Sequence, residues 1–456
     1  RMKEVMVGEK KVLLVCSQGQ YSAIGSQCSH YNAPLVKGTL VGQRVRCPFH
    51  GACFNVRTGD IEEYPGLDSL PTYKVKVENG MVYVTVNKHA LKLTKRVKEM
   101  CSRIADIKHT ILLIGGGPAA LVCAETLRQT CYEGRIIMVT RDALPPFDKP
   151  KLSKALHLDR SSILLRSADF YQQYGIEVWT EKEVISVNTV NKAVKMIDGT
   201  WLNYDQLLIA TGCRARPLSC PGWDLKGVKL LQTHDDANEI HSSCQGQNAV
   251  IIGASFIGME VASYLSNKAA SVTVVGIQLI PISKICWVQK LGQDVHGSVI
   301  PNTDFLIGSK LEVDSRKTLV VDKFMKTNVP DIFSAGDVTS FPLSICGDKM
   351  VNIGHWQMSQ AQGRVAALNM LKKPTEFQSV PFFWTVLLGK SIRYTGYGEG
   401  YTEIIYKGSI QERKFLAFYI KEEKVVAAAS LMFDPAVARL AELMASGQTI
   451  TKTQAQ

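Results

Sequence analysis

Up to about residue 87 the apolar and polar positions alternate in short runs, KVLLV, YSAIG, RVRC, YKVKV and MVYVTV, separated by turn residues. A period of two over four to eight residues predicts strands. Asn79-Gly80, between the last two runs, predicts a two-residue hairpin. Residues 1–87 therefore read as an all-β domain. A basic stretch, 88–110, follows and predicts a solvated amphipathic linker helix. From 111 the pattern changes. TILLIGGGPAALVCAETLRQ runs from a continuous apolar strand through a glycine turn into a helix, and NAVIIGASFIGMEVASYLSNKAASVTVVG repeats this at 248–276. Strand, glycine turn and helix, twice, predict a doubly wound α/β architecture with two dinucleotide folds. Beyond 376 β-rich text returns and closes with the helix DPAVARLAELMASG, a small α+β domain over 376–456.

Composition narrows the class only a little. The chain has 456 residues, 46% apolar and 21% charged, which suits a multidomain globular protein. It has no run of eighteen apolar residues, so no transmembrane helix is predicted. The twelve cysteines are scattered through a chain with an ample core, and read as reduced thiols of an intracellular protein. The sequence starts at Arg1, so a targeting segment is not visible. Net charge is +12, and residues 87–110 hold seven Lys or Arg against two acids. Without interleaved aromatics this is a solvated face, and nucleic acid is not a predicted partner.

Chemistry is concentrated first in CSHYNAPLVKGTLVGQRVRCPFHG. Cys28 and His30 form one cluster and Cys47 and His50 a second. Four such ligands suit a tetrahedral zinc ion. They also suit a [2Fe–2S] centre in which two thiolates hold one iron and two imidazoles the other, each loop supplying both irons. Pro48, Gly51 and the run GACFNVRTGD resemble the second cluster-binding loop of Rieske ferredoxins, and the likeness covers residues 1–86. High-potential members of that family carry an extra cysteine in each loop and a serine bonded to a cluster sulfur. The first loop here continues HYNAP, and Phe49 and Ala52 stand where the second cysteine and the serine would lie, which implies a low-potential centre. Cys53 is a spare thiol expected to pack on the barrel wall.

The first glycine turn reads Gly115-x-Gly117-x-x-Ala120. Its first glycine permits the tight turn, its second admits a pyrophosphate, and its small third residue lets helix and strand approach. The acid expected about 20 residues on is replaced by Thr140-Arg141-Asp142, so Asp142 is the candidate for the ribose. DQLLIATG, ending at Thr211-Gly212, and TNVPDIFSAGDVTSFP, with Gly336-Asp337, resemble the later FAD signatures of two-dinucleotide flavoproteins, in which the aspartate bonds the ribityl chain. DKPKLSK resembles the lysine motif of ferredoxin reductases. By that likeness Lys154 lies near the flavin and pairs with Glu260. The second turn, Gly253-x-Ser255-x-x-Gly258, is the expected nicotinamide site, with Glu260 on its helix. Ser255 crowds the pyrophosphate position, and Gly276 stands where an acid would select NADH, so NADH and NADPH are not distinguished. About two dozen residues separate Gly276 from VIPNTDFL at 299, and several strands of the nicotinamide domain are missing from that interval.

The whole order, with NIGHWQMSQAQGRVAALNML and PFFWTVLLGKSIRYTGYGEGYTEI, resembles the Rieske-bearing form of the apoptosis-inducing factor family. The resemblance implies a Rieske domain at 1–87, an FAD domain at 111–225 and 327–372, a shortened NAD(P) domain at 226–326 and a reductase C-terminal domain at 376–456. Trp384 resembles an aromatic near the flavin of related reductases. The implied activity is an oxidoreductase relaying electrons from NAD(P)H through FAD to the [2Fe–2S] centre. The electron acceptor and the oligomeric state stay open, and the implied location is mitochondrial. The other reading is a non-enzymatic, pro-apoptotic or redox-sensing protein with a degenerate NAD site. A Rieske oxygenase is disfavoured, because the nine histidines offer no suitable pair outside the cluster.

Overall fold

The computed structural model describes residues 1–276 and 299–456. The chain divides into two compact units, one of residues 1–99 with 378–456 and one of residues 100–276 with 299–377. The first and last stretches of sequence thus fold together.

In the first unit, a five-stranded antiparallel sheet runs Met2–Val7, Lys10–Ser17, Gln20–Gly25, Thr72–Glu78, Met81–Thr85. Asn79 and Gly80 both take positive φ, 51° and 75°, as the hairpin requires. A second sheet of four short strands, Thr39–Val41, Arg44–Arg46, Cys53–Asn55 and Ile61–Glu63, carries the second Cys/His loop. The C-terminal sheet is five-stranded and antiparallel, in the order Phe382–Leu387, Lys390–Gly396, Lys424–Leu431, Lys414–Lys421, Glu403–Ser409. Val437, Ala438 and Ala441 of the helix Asp434–Ala445 bury against it, with Phe382, Phe418 and Ala428.

The predicted linker helix is corrected. Only Lys88–Lys92 is helical, and it buries no residue. Beyond it the chain is held by tertiary bonds. Arg96 exchanges two backbone bonds with Ser69 and its guanidinium reaches Asp60, Thr58 O and Leu70 O, while Lys98 also pairs with Asp60. These contacts outweigh the local helix preference.

The second unit is built on a parallel sheet in the order Ile176–Trp179, Arg135–Val139, Thr110–Ile114, Gln206–Ile209, Ile332–Ser334. Leu112, Ile114, Ile137 and Val139 of one face pack with Val184, Val194 and Met196 of a three-stranded antiparallel sheet. The helices Pro118–Gln129 and Trp356–Met370 touch so closely that a Cβ on Gly363 would collide with the Ala119 carbonyl. The second glycine turn joins Asn248–Ile252 to the helix Phe256–Leu265 and the parallel strand Ser271–Val275. Among the described residues that sheet has two strands. Residues 277–298 lie outside the description. Residues 299–326, assigned from the sequence to the nicotinamide domain, pack elsewhere. Leu306, Leu311 and Leu319 join the core around Leu112, and Val299–Pro301 pairs with Cys213–Ala215.

Candidate cluster and dinucleotide sites

The two Cys/His loops of the first unit close in the same way. Cys28 N donates to Ala33 O and Cys47 N to Ala52 O, both at 2.8 Å, so each cysteine sits at the base of a reversal with its histidine near the tip. Both cysteines are buried and both histidines half-buried. The two thiols hydrogen-bond each other, which raises the pKa of Cys28 and lowers that of Cys47; the Arg393 charge adds a smaller downward pull on Cys47. The two imidazoles meet Nδ1 to Nδ1 at 3.1 Å. A sulfur pair inside and a nitrogen pair outside fit a binuclear cluster, since its two irons take the two ligand types separately.

The C-terminal sheet completes the surroundings of this pair of loops. Trp384 lies against the histidines, its ring centroid 5.1 Å from His50 and 6.3 Å from His30. Phe382, two residues earlier, fills the space over Gly51, where a Cβ would come within 2.7 Å of its ring. Arg46, fully buried, donates to Gly51 O at 2.9 Å, to Glu63 at 3.0 Å and to Glu442 of the C-terminal helix at 2.5 Å. Arg44 adds contacts to Glu62, Glu63 and Glu442. Cys53 is buried within this network, with Arg44 Nε 3.2 Å from its sulfur, and burial pushes its thiol up to about 12. It is inert as a nucleophile. Each arginine has carboxylate partners, the condition under which buried charge is tolerated.

In the second unit a cleft enclosing about 1150 Å³ of space, open to solvent, runs across the carboxyl end of the parallel sheet. Gly115, Gly117, Asp142, Thr211, Gly212, Gly336 and Asp337 all line it, and Ala120 is buried behind it. Gly115 has φ +123°, and a Cβ there would collide with the Ala210 carbonyl. The Pro118 helix begins at Gly117 with no side-chain cap, which leaves its first N–H groups for an anion in the cleft. Two charged groups line that space, Lys149 exposed to it and Asp337 half-buried. Lys149 is driven down by desolvation, with Asp142 and Asp337 opposing, and Asp337 is driven up by desolvation while accepting from Ser359 at 3.0 Å. These residues fit a dinucleotide. Lys154 does not line the cleft; it holds Glu260 at 3.0 Å, with Ser153 on the same carboxylate. Lys149, in the same DKPKLSK run, lines the cleft instead. His355 caps the Trp356 helix, and burial with the Lys154 charge pushes its imidazole down to about 3.

The second glycine turn keeps the close approach. A Cβ on Gly258 would collide with the Gly253 carbonyl, and Ser255 stands at the helix N-terminus without a capping hydrogen bond. Glu260 is the buried acid of this helix. Trp384, expected beside the flavin, belongs to the first unit, where its neighbours are His30 and His50. Arg46, Lys149, His355 and Arg393 escaped the sequence reading. Their signals are burial and partners far along the chain, not motifs.

Comparison with known proteins agrees with this division. Three family descriptions match: Rieske [2Fe-2S] domain over residues 1–74, pyridine nucleotide-disulphide oxidoreductase over 109–282 and 298–363, and reductase C-terminal over 382–456. Human apoptosis-inducing factor 3 is 42% identical over 505 residues, covering 100% of this chain and 84% of the relative. That span exceeds the 456 residues of this chain, so the relative carries segments this chain lacks. The ferredoxin–NAD(+) reductase subunit of the benzene 1,2-dioxygenase system of Pseudomonas putida is 28% identical, covering 70% of this chain and 88% of the relative. Putidaredoxin reductase, in its covalent complex with putidaredoxin, shares the fold with a TM-score of 0.68 at 23% identity, over 77% of this chain and 96% of that one. Among the described residues no helix is long and apolar enough to cross a membrane.

Proposed function

Because the chain belongs to the pyridine nucleotide-disulphide oxidoreductases, in the Rieske-bearing group with apoptosis-inducing factor 3, we propose that it takes electrons from NAD(P)H and relays them through FAD to a Rieske centre and on to an acceptor. When bound, FAD supplies hydride acceptance and the [2Fe–2S] cluster one-electron storage. This chain's own residues hold and insulate them. Cys28 and Cys47 hold the buried iron and His30 and His50 the outer one. Gly115, Gly117 and the bare start of the Pro118 helix receive the diphosphate of FAD, with Ala120 keeping helix and strand close. Asp142 serves the ribose, Asp337 the ribityl chain, and Thr211, Gly212 and Gly336 form the wall. Lys154 is braced by Glu260 beside the cleft, Lys149 offers a cation within it, and Trp384 is an aromatic beside His30 and His50. Gly253, Ser255 and Gly258 receive the nicotinamide dinucleotide. No side chain is required as an acid or base.

The observation that carries the reading is the pairing of two buried thiols with two outer imidazoles 3.1 Å apart. Anaerobic titration of the flavin- and iron-loaded protein with NADH, then NADPH, tests it. The expected result is flavin bleaching followed by loss of the visible absorbance of the cluster. Bleaching of neither chromophore by either nucleotide overturns the reductase reading.

One observation favours a second reading. Val250, Ile252 and Val275, on the strands beside the second glycine turn, are half or more exposed. A nicotinamide domain left thus incomplete supports a redox-sensing or regulatory protein, which would keep flavin and cluster but ignore both nucleotides. Kinship with apoptosis-inducing factor 3 supports a mitochondrial site of action and a role in cell death; fractionation of cells expressing the full-length protein tests the first.

A further inference from the structure

Arg393 stands out in the first unit because its charge is buried and poorly matched. It belongs to the strand Lys390–Gly396 and is directly paired across the ladder with Trp384, the residue packed on His50 and His30. Directly paired residues of an antiparallel ladder share a face, so the guanidinium lies on the side of the sheet that meets the Cys/His loops. It is 3% exposed. Nη1 donates to Thr385 O at 3.2 Å and to Ile392 O at 2.8 Å, both of them carbonyls that carry no net charge. Nε has no hydrogen-bond partner among the described residues. Among the described residues the carboxylate paired with it, Asp434, stands 3.8 Å away and is itself partly in water. Arg46, by contrast, is held at 2.5 and 3.0 Å by Glu442 and Glu63. A buried cation without a close counter-ion is costly, and here the place for the missing negative charge is the pair of thiolate-bearing loops. The field of Arg393 already reaches Cys47.

We propose that Arg393, from the reductase C-terminal sheet, sets the reduction potential of the Rieske centre by balancing the charge that reduction adds. The inference rests on the reading of Cys28, His30, Cys47 and His50 as cluster ligands. Two ferric irons, two sulfides, two thiolates and two neutral imidazoles sum to zero. One electron added without a proton leaves a charge of minus one. A fixed guanidinium in a dry setting stabilises that state over the neutral one. It therefore lifts a potential that the absence of a hydroxyl partner at Ala52 would otherwise leave low. The C-terminal domain then contributes to the centre's electronic character as well as to its packing.

Spectroelectrochemical titration of the reconstituted protein, read by visible absorbance and by the EPR signal of the reduced cluster, tests this. In Arg393→Met the reduced-to-oxidised ratio at a fixed potential should fall at least about tenfold, which is 59 mV for one electron. Arg393→Lys keeps the charge and should stay within about threefold of wild type. Asp434→Asn removes the partial counter-charge and should shift the ratio upward. A loaded Arg393→Met protein with an unchanged potential overturns the proposal. If that variant fails to take up iron, Asp434→Asn decides: an upward shift supports the proposal, and no shift overturns it. A wild-type protein with neither absorbance nor EPR signal after iron and sulfide reconstitution would instead overturn the cluster reading itself.

Discussion

The two glycine turns of the second unit began with nearly the same text and ended in different surroundings. At Gly115 the turn rises from a strand in the middle of five, with Leu112 and Ile137 wholly buried between a helical layer and a second sheet. At Gly253 it rises from a sheet that has two strands among the described residues, with Val250 and Ile252 exposed at 64% and 61%. The helix after each turn packs on its strand through a small residue, buried Ala120 in one case and Gly258, where a Cβ would collide with the Gly253 carbonyl, in the other. A dinucleotide motif is thus a local device of backbone geometry, and its rigidity is lent by the strands around it.

The sharpest way to break this comparison is to cut equal apolar volume from each strand. Leu112→Ala should cost about 3 kcal/mol, and Ile252→Ala less than about 0.5 kcal/mol, measured by denaturant unfolding. Equal losses would mean that the second strand is as well packed as the first. Next come the turns. Gly115→Ala should cost about 3 kcal/mol and abolish flavin retention, since it meets both a positive φ and a carbonyl. Gly258→Ala, with the collision but without the φ penalty, should cost about 1 kcal/mol and leave flavin content intact.

A polar link between the halves, beside the apolar contacts of Leu152 and Leu156 with Val261 and Leu265, is the pair Lys154–Glu260. Lys154→Met leaves a buried carboxylate without its ammonium, and should destabilise by about 1.5 kcal/mol, less than a fully buried pair because the lysine is 36% exposed. Adding Glu260→Met should recover part of the loss; if the double variant is worse than the single, the pair is not the link. A further effect concerns acid. His355 is neutral in the fold, at about 3 against an ordinary 6.5. A depressed value means that the unfolded chain binds the extra proton, so this stability is present above pH 6.5 and is lost as pH falls toward 3. Between pH 6.5 and 5.5 the loss should be about 1 kcal/mol, and His355→Gln should flatten that slope in urea midpoints.

The fold class and most of the residues now brought together were legible because they depend on short-range text. Cys-x-His, Cys-x-x-His, the glycine turns and Ala-Gly-Asp all act within a few residues, and alternation in the first 87 residues reports strands directly. What was not legible depends on which distant segments close on one another. The stretch after Lys92 has helical text, yet Arg96 finds Ser69 and Asp60 and leaves the helix. The likeness that singles out Trp384 gives no hint of its contact with His30 and His50, more than 300 residues earlier in the chain. Arg393 and Glu442 carry no motif, since a buried charge is recognisable only once its surroundings are known. The incomplete second dinucleotide domain was visible as missing text, and its exposed strand face is the physical consequence.

The union of the chain's two ends in one unit also sets a clock. Arg46 and Glu442 are 396 positions apart, so at ribosomal speeds of about 5 to 20 residues per second roughly 20 to 80 s pass between the synthesis of one and of the other. During that interval Glu63 is the carboxylate at hand for Arg46, and the loop at Cys47 and His50 is without its Phe382 and Trp384 cover. Until Phe382 and Trp384 have been made, the loops that carry Cys28, His30, Cys47 and His50 stay without that cover.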